Sequence, residues 1–480
     1  MAGRSVYASI QQTTNEQSKV DPRTYQQARL ARDARFDGQF FVAVKTTGIY
    51  CRPICPAPPP KEQNVCYYQS AFEAAQAGFR PCLRCRPDSA PASWAWKGTD
   101  TTFERALALI DDGALMDGSV NQLSDRLGIS SRYLARLFQQ KLGASPKQYA
   151  LYQQVLFAKS LLQQTSLPIA DIAFASGFGS LRRFNDGFVK ALRLSPSEIR
   201  LQGAMGHSEP GITLLLSYRP PYDWASLQRF LELRLIPRLE WSGSDHYGRT
   251  FQLEGGVQGR FTAYHRPEKH AFSVHIETHQ PGPLLPLVRT IRRLLDLDAD
   301  SQRIDNYLEP ILAPMAHYKP GLRLPGILSL FEAGIRAILG QQISVVAARN
   351  LVAQLVHTYG ASAGSGEPEQ RFFPTPEQLA KSPLTELKIP QSRRQTLIDF
   401  AQFMADPINQ QQDPEHWRPI KGIGDWTIRY ARMRGLSDTN VWLGSDLGIQ
   451  KALQRTDNRF DPAAASPWLS YLTFQLWNQP

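Results

Sequence analysis

Four cysteines supply the first chemistry legible in the chain. Cys51-x3-Cys55 and Cys82-x2-Cys85 are two short-spaced pairs separated by 26 residues, and the 395 residues after Cys85 contain no cysteine. Two turns that each present two thiolates make one tetrahedral Zn2+ site. A disulfide framework is the competing chemistry and needs an oxidising compartment. Residues 1–20 are polar, rich in Gln, Ser and Thr, and lack the charged and apolar regions of a secretory signal, so the expected setting is the cytoplasm, after a disordered tail. No histidine precedes His207, which leaves four thiolates as the natural ligands of a single Zn2+. Cys66, in the strand-like run Val65-Cys66-Tyr67-Tyr68, is expected to be a buried free thiol. Spacing alone describes a zinc staple for a small domain.

A second candidate lies near the other end. Pro419-Ile420-Lys421-Gly422-Ile423-Gly424-Asp425-Trp426-Thr427 sets a Gly-Ile-Gly turn before a helix. Gly422 and Gly424 would leave backbone N–H groups open to a phosphate, with no side chain in the way. Asp446 follows Trp426 by 20 residues in Val441-Trp442-Leu443-Gly444-Ser445-Asp446. By type and place alone it reads as a helix N-cap or turn residue.

The elements that position these residues fall into blocks. Leu134, Phe138, Leu142, Ser145 and Pro146 recur 50 residues on as Phe184, Phe188, Leu192, Ser195 and Pro196. Each copy reads as a short helix, a Gly turn and a longer helix: 120–127 then 131–142, and 169–176 then 181–192. That is helix-turn-helix order. Ser145-Pro146 and Ser195-Pro196 each supply an N-cap followed by proline at the first helical position, and Glu198 completes a capping box. Arg132, Arg136 and Gln139 on one longer helix, and Arg182, Arg183 and Asn185 on the other, would reach base edges or phosphates, although such a pair also serves as a plain packing unit. Residues 212–218 and 271–277 alternate apolar and polar, as antiparallel strands with one covered face do. From residue 324 the pattern is helical, with 327–339 and 345–359 flanking Gly340-Gln341-Gln342-Ile343-Ser344.

Composition agrees with a multidomain protein that meets a polyanion. At 480 residues the chain exceeds one core, and no apolar run nears the roughly 20 residues that span a bilayer. The formal charge is +11, and residues 1–200 hold 25 Lys+Arg against 16 Asp+Glu, whereas 201–480 hold 29 against 27. A basic surplus in the first 200 residues is most simply a polyanion-binding surface, and which polyanion must come from the motifs.

Around the cysteines, Ala43-Val44-Lys45-Thr46-Thr47-Gly48-Ile49-Tyr50-Cys51-Arg52-Pro53 and Gly78-Phe79-Arg80-Pro81-Cys82-Leu83-Arg84-Cys85-Arg86-Pro87-Asp88 closely resemble the N-terminal domain of the Ada family of adaptive-response proteins, over residues 21–88. The resemblance implies that Cys51 is both zinc ligand and nucleophile, taking a methyl group irreversibly from a DNA phosphotriester. A cluster of four thiolates is net anionic, and methylating one removes a negative charge, which weakens repulsion from DNA phosphates and makes a binding switch. Arg52, Arg80, Arg84 and Lys61 are the candidate phosphate contacts. Where some members place arginines after the second cysteine, this chain reads Pro56-Ala57-Pro58-Pro59-Pro60-Lys61. The paired helices, 101–200, resemble the AraC-type DNA-binding domain, which implies two successive major-groove contacts.

The rest resembles the helix-hairpin-helix DNA glycosylases of the AlkA 3-methyladenine type. The likeness rests on Pro221-Tyr222-Asp223-Trp224, Lys319-Pro320-Gly321-Leu322-Arg323-Leu324-Pro325-Gly326, Arg336-Ala337-Ile338-Leu339-Gly340-Gln341, the Gly-Ile-Gly turn and the Trp468 to Trp477 terminus. An α+β subdomain at 211–310 and an all-α helix-hairpin-helix body at 311–480 follow from it, with Asp446 as catalytic carboxylate, Trp426, Tyr430, Trp477 and Phe230 as base-stacking aromatics, and Gln342 in the place of a leucine wedge. Lys421 replaces the hairpin proline. Bifunctional relatives open the second hairpin helix with a Schiff-base lysine; Trp426 stands there, which implies base excision without strand nicking and without a cofactor. An O6-alkylguanine methyltransferase is excluded, because no cysteine follows Cys85 to act as nucleophile. The expected fold is thus multidomain α+β: a small four-cysteine zinc domain, an all-α double helix-turn-helix, an antiparallel-sheet subdomain and a helical glycosylase body. Its expected partners are alkylated and promoter double-stranded DNA and RNA polymerase, bound by a monomer. The rival reading is a transcription regulator whose C-terminal half binds DNA without catalysis.

Overall fold

The computed structural model describes residues 22–479 apart from 34–35, 38, 70, 83, 86, 88–100, 112, 117, 202–210, 254–255, 279–281, 314–317, 365–368 and 455–460. The expected tail 1–20 and nearly all of the linker 87–99 lie outside the described residues. Two compact units are present, one holding the residues up to Ala90 and the other the rest of the chain bar Leu142–Ala144.

The first unit runs α1 (Pro22–Leu30), β1 (Phe41–Val44), β2 (Ile49–Cys51), β3 (Val65–Tyr68), α2 (Ala71–Gln76), β4 (Arg80–Pro81). Its sheet is ordered β3-β1-β2-β4, with β2 and β4 parallel and the other pairs antiparallel. Successive side chains of a strand point to opposite faces. Phe41 and Ala43 therefore pack with Tyr50 and Ala74 toward α2, whereas Phe40 and Val42 pack with Ala28 and Val65 toward α1. Both faces of a very small sheet are covered, and the turn from β1 to β2 closes on Gly48 at φ +64°.

In the second unit, α3 (Thr101–Asp111), α4 (Val120–Leu127), α5 (Ser131–Leu142), α6 (Pro146–Gln164), α7 (Ile169–Ala175), α8 (Leu181–Leu192) and α9 (Pro196–Leu201) form the duplicated helical region. Ser119 with Gln122 and Ser145 with Gln148 make capping boxes, and Ser195 with Glu198 makes the one expected from the sequence. The repeated Leu134, Phe138, Phe184 and Phe188 are fully buried.

Next come β5 (Ile212–Ser217), α10 (Trp224–Arg234), β6 (Glu240–Ser242), β7 (His246–Gln252), β8 (Gln258–Arg266), β9 (Ala271–Thr278), α11 (Leu285–Leu294) and α12 (Ser301–Leu312). The sheet is antiparallel throughout in the order β5-β9-β8-β7-β6. The two alternating runs read from sequence are direct neighbours, with Leu214 opposite Val274 and Leu216 opposite Phe272. An edge strand leaves backbone donors open. On β5 the Leu215 N–H donates to Gln164 Oε1 of α6 at 2.7 Å, so the helical region covers that edge.

The helical body comprises α13 (Leu330–Gly340), α14 (Val345–Tyr359), α15 (Pro376–Ala380), α16 (Gln391–Met404), α17 (Asp425–Gly435), α18 (Leu447–Gln454) and α19 (Leu469–Trp477). The helix expected from residue 327 begins at Leu330 instead, because the Ser329 side chain accepts the Glu332 N–H at 3.1 Å and the Ile327 N–H turns away to the Arg434 carbonyl at 2.7 Å. A buried ion network ties the sheet to this body. Arg249 grips Glu332 through two nitrogens at 3.0 and 2.8 Å, and Arg336 bridges Glu332 and Glu240. Such groups tolerate burial only because every charge is matched and hydrogen-bonded.

Candidate functional site

Cys51 ends β2, Cys82 follows β4, and the parallel pairing of those strands brings the two together: the Cys82 N–H donates to the Tyr50 carbonyl at 2.9 Å. Cys55 closes a turn on the Arg52 carbonyl at 3.1 Å. The sulfurs of Cys51, Cys55, Cys82 and Cys85 all lie within 4.8 Å of one another. Zn–S bonds of about 2.3 Å put tetrahedral sulfurs about 3.8 Å apart, so this cluster fits one Zn2+. Crowded thiols must share protons. Hydrogen bonds with Cys55, Cys82 and Cys85 push the Cys51 thiol far up, and the bond from Cys51 brings Cys55 down to about 7. A divalent cation replaces those protons and holds the sulfurs as thiolates. Cys66 stays outside the cluster, half-buried beside Phe41 and Ala43.

The basic residues around the cluster divide. Arg52 is committed inward: its Nε donates to Asp37 Oδ1 at 2.7 Å, and its backbone N–H points to Cys85 Sγ at 3.4 Å. Arg80 is half-buried on β4, while Arg84 and Lys61 are exposed. The proline-rich loop is pinned to α1 and the turn after it, since Arg29 of the helix donates to the Pro60 carbonyl at 3.2 Å and Arg32 of the turn to the Pro56 and Ala57 carbonyls at 3.3 Å.

On the longer helices of the repeat, Arg132, Arg136 and Gln139 of α5 and Arg182, Arg183 and Asn185 of α8 are exposed, opposite the buried Leu134, Phe138, Phe184 and Phe188. Arg182 makes a loose contact with Asp186 at 4.0 Å, a surface pair of little energy.

The third cluster gathers on α17, α18 and α19. Asp446 caps α18, its Oδ1 accepting the N–H of Gly448 at 2.9 Å and of Ile449 at 3.3 Å. The cap predicted from residue type is present, and two indoles join it. Trp477 Nε1 donates to Oδ1 at 3.0 Å and Trp426 Nε1 to Oδ2 at 3.1 Å. Oδ1 is thus saturated, whereas Oδ2 has one donor among the described residues and keeps lone-pair capacity. Trp426 stacks on Tyr430 at 5.2 Å and 25°. Phe230 lies deeper, buried and near-parallel to Trp477 at 6.3 Å.

The hairpin before α17 is clamped from two sides. Gln341 Nε2 donates to the Gly422 carbonyl at 2.9 Å, and Thr396 Oγ1 to the Lys421 carbonyl at 2.8 Å. Gly422 sits at φ +92°, where a Cβ would meet Thr396 Oγ1 at 2.3 Å; Gly424 is extended and open. Gln342 is exposed at φ +58°, beside exposed Ile343, Val345 and Val346. Sequence reasoning missed Gln341 and Thr396 as clamps, and Arg234 and Arg434, whose guanidinium carbons lie 3.7 and 4.8 Å from the Phe230 ring centroid. The i, i+4 spacing of Phe230 and Arg234 on one helix was the available signal.

Fold and site together define a DNA repair chain with a metal-binding cysteine domain, a paired helix-turn-helix and a glycosylase-like body. Residues 24–88 match the metal binding domain of Ada, 123–202 a helix-turn-helix domain and 213–329 the AlkA N-terminal domain. The "Probable bifunctional transcriptional activator/DNA repair enzyme AlkA" of Mycobacterium tuberculosis is 34% identical over 93% of this chain and 94% of its own length. DNA-3-methyladenine glycosylase 2 of Escherichia coli is 30% identical over 55% of this chain and 95% of its own. The bifunctional transcriptional activator/DNA repair enzyme Ada of Escherichia coli is 40% identical over 28% of this chain and 36% of its own. The chain belongs to the family of bifunctional transcriptional activator/DNA repair enzymes that join an Ada-type metal-binding domain and helix-turn-helix to an AlkA-type glycosylase. Among the described residues no helix is long and apolar enough to cross a membrane.

Proposed function

We propose that this chain both repairs alkylated DNA and activates transcription in response to it. Cys51 takes the methyl group of a DNA methylphosphotriester: its sulfur forms the new S–CH3 bond as the CH3–O bond breaks, and the freed phosphate oxygen keeps the electron pair. Bound Zn2+ would keep the sulfur deprotonated at neutral pH. The methylated cluster repels phosphate less, and the exposed arginines of α5 and α8 read a promoter. Arg80, Arg84 and Lys61 suit phosphate contact near the cluster; Arg52, held by Asp37, suits bracing of the Cys85 turn. RNA polymerase is the proposed partner of the promoter-bound monomer, in the cytoplasm.

The C-terminal half excises alkylated bases such as 3-methyladenine. The extruded nucleotide would stack on the Trp426, Tyr430 and Trp477 rings, with Gln342 entering the gap in the duplex and the Gly422–Gly424 turn on a phosphate. Asp446 Oδ2 faces the sugar cation or orients the attacking water. The observation that carries this reading is the bridging of one carboxylate by two indoles at 3.1 and 3.0 Å, which leaves one oxygen open in an aromatic site. A plain helix cap needs neither tryptophan.

The test is to incubate the purified protein with methylated duplex and assay free bases and the Cys51 adduct together. Wild type should release 3-methyladenine and gain one methyl group on Cys51. Asp446→Asn, which keeps the cap, should lose at least about a hundredfold in excision without losing the adduct. No base release by intact wild type would sink the glycosylase reading in favour of a C-terminal half that only binds DNA.

A further inference from the structure

Gln342 is the free point of a loop that is otherwise tied down. Its neighbour Gln341 closes α13 and donates through Nε2 to the Gly422 carbonyl at 2.9 Å and to Thr427 Oγ1 at 3.0 Å, while the Gln341 carbonyl accepts from Arg393 Nη2 at 3.0 Å. Two residues beyond Gln342, Ser344 starts α14, its hydroxyl accepting the Ala347 N–H at 3.2 Å. The loop is thus fastened to the hairpin and to α17, the helix that carries Trp426 and Tyr430. Between these anchors Gln342 sits in the left-handed region at φ +58°, a conformation that glycine adopts freely and glutamine at a cost. Its side chain is exposed, and its amide has no hydrogen-bond partner among the described residues. Ile343, Val345 and Val346 beside it are exposed as well. A group of apolar side chains left open in this way marks a surface that is covered in use, and the phosphate-binding hairpin fastened to it makes duplex DNA the cover.

We propose that Gln342 reads the base left behind: its amide hydrogen-bonds to the Watson–Crick edge of the pyrimidine opposite the extruded purine, so that the partner base as well as the lesion stabilises the flipped state. This role rests on the glycosylase function proposed above and deepens it. An apolar wedge is satisfied by stacking alone. An amide taken between base pairs loses its water, and a buried donor or acceptor left unpaired costs more than a net hydrogen bond returns. Glutamine therefore holds the gap when its one acceptor and two donors find partners there. The faces of the neighbouring base pairs offer none; the polar groups that border the gap belong to the base whose partner has left. Thymine and cytosine each present a donor next to an acceptor on that edge, and an amide matches either by turning over about its terminal bond. The anchored backbone fixes where the amide enters, so a base with no hydrogen-bonding edge leaves it unpaired.

The experiment uses the full-length protein and fluorescence anisotropy on duplexes that carry a tetrahydrofuran abasic-site analogue opposite either thymine or difluorotoluene, the apolar isostere of thymine. Each affinity is divided by that for the fully paired duplex of the same flanks, which sets aside binding by the helix-turn-helix. Wild type should prefer thymine over the isostere by about fivefold more than Gln342→Leu or Gln342→Ala does, the scale of one net hydrogen bond. Leucine still fills the gap and alanine leaves it empty, so their agreement would trace the preference to the amide and not to bulk. A merely structural role would weaken both duplexes together. Equal preference in wild type and in Leu and Ala variants that melt like it overturns the proposal, and if either variant fails to fold, the other decides. Wild type that releases no 3-methyladenine from methylated DNA and binds the abasic duplexes no better than the paired one would overturn the glycosylase reading and this inference together. Base release with a preference indifferent to Gln342 overturns the inference alone.

Discussion

Arg289 of α11 stands 3.4 Å from the Asp111 carboxylate at the C-terminal end of α3 and donates to the backbone carbonyls of Ile110 and Asp111. A helix end leaves carbonyls without partners, and a guanidinium there matches both their lone pairs and the negative end of the dipole. Tyr149 Oη adds a bond to Asp111 at 3.2 Å, and the Leu284 N–H donates to the Ala175 carbonyl at 2.8 Å. The helix-turn-helix region is thereby fastened to the sheet subdomain, while the exposed arginines of α5 and α8 stay clear of the fastening. Arg289→Ala should destabilise this unit by about 2 kcal/mol and separate one melting transition into two. Calorimetry of the full chain checks it; a single transition at the wild-type temperature would show that the clasp carries no load.

Gly422 and Gly424 make a paired prediction. Alanine at 422 would have to adopt φ +92° and place its Cβ 2.3 Å from Thr396 Oγ1, so the hairpin must deform. Gly422→Ala should cost about 1–3 kcal/mol and weaken duplex binding about tenfold. Gly424→Ala meets nothing within 4 Å and should leave stability within about 0.5 kcal/mol while still weakening binding, because its methyl intrudes where a phosphate would lie. Thermal melts with fluorescence anisotropy on a labelled duplex separate the two; equal melts would refute the hairpin geometry.

Much of this is legible in the sequence because the signals are local. Cysteine spacing marks the metal cluster, the repeated Ser-Pro steps mark helix starts at Pro146 and Pro196, and alternation marks β5 and β9 as strands. What escapes are relationships between distant segments. Nothing local to Asp37 announces that it takes Arg52 out of the solvent, and nothing near Gln164 announces that it covers the β5 edge 51 residues on. Asp446 reads as a cap from its type, and it is one. The two indoles that set its open oxygen arrive from α17 and α19 and become visible only once the helices pack. The start of α13 is misplaced by the sequence pattern because Ile327 is as apolar as the helix it precedes, and hydrophobic periodicity cannot see the Ser329 cap that sets the boundary.

Loss of metal should take down the first unit. Its cores are small clusters around Phe40 and Phe41, too few residues to hold a sheet of four short strands without a cross-link. Cys82→Ser, at a buried position, should reduce bound zinc from about one ion per chain to near zero and open this unit to protease. The glycosylase-like unit should still melt at its own temperature. Elemental analysis and limited proteolysis check both halves of the statement; a zinc-free variant with a protease-resistant first unit would contradict it.

Asp296 carries a pH dependence whose sign is fixed by its surroundings. Burial pushes its carboxyl up to about 6, with Arg323 pulling the other way. The unfolded value is about 3.9, so the folded state prefers the protonated form, and this contribution to stability is present in full below about pH 4 and lost as pH rises through about 6. One oxygen, Oδ2, accepts both the Leu324 N–H and the Tyr471 hydroxyl at 2.9 Å. An asparagine carbonyl can take the same two bonds, and asparagine tolerates the left-handed backbone at φ +51°. Asp296→Asn removes the titration and keeps the contacts. Its stability relative to wild type should therefore grow between about pH 4 and pH 6 by about 3 kcal/mol and stay flat above that. Denaturant titrations at several pH values measure the difference, and parallel curves for the two proteins across that window would show that Asp296 is already ionised in the folded chain.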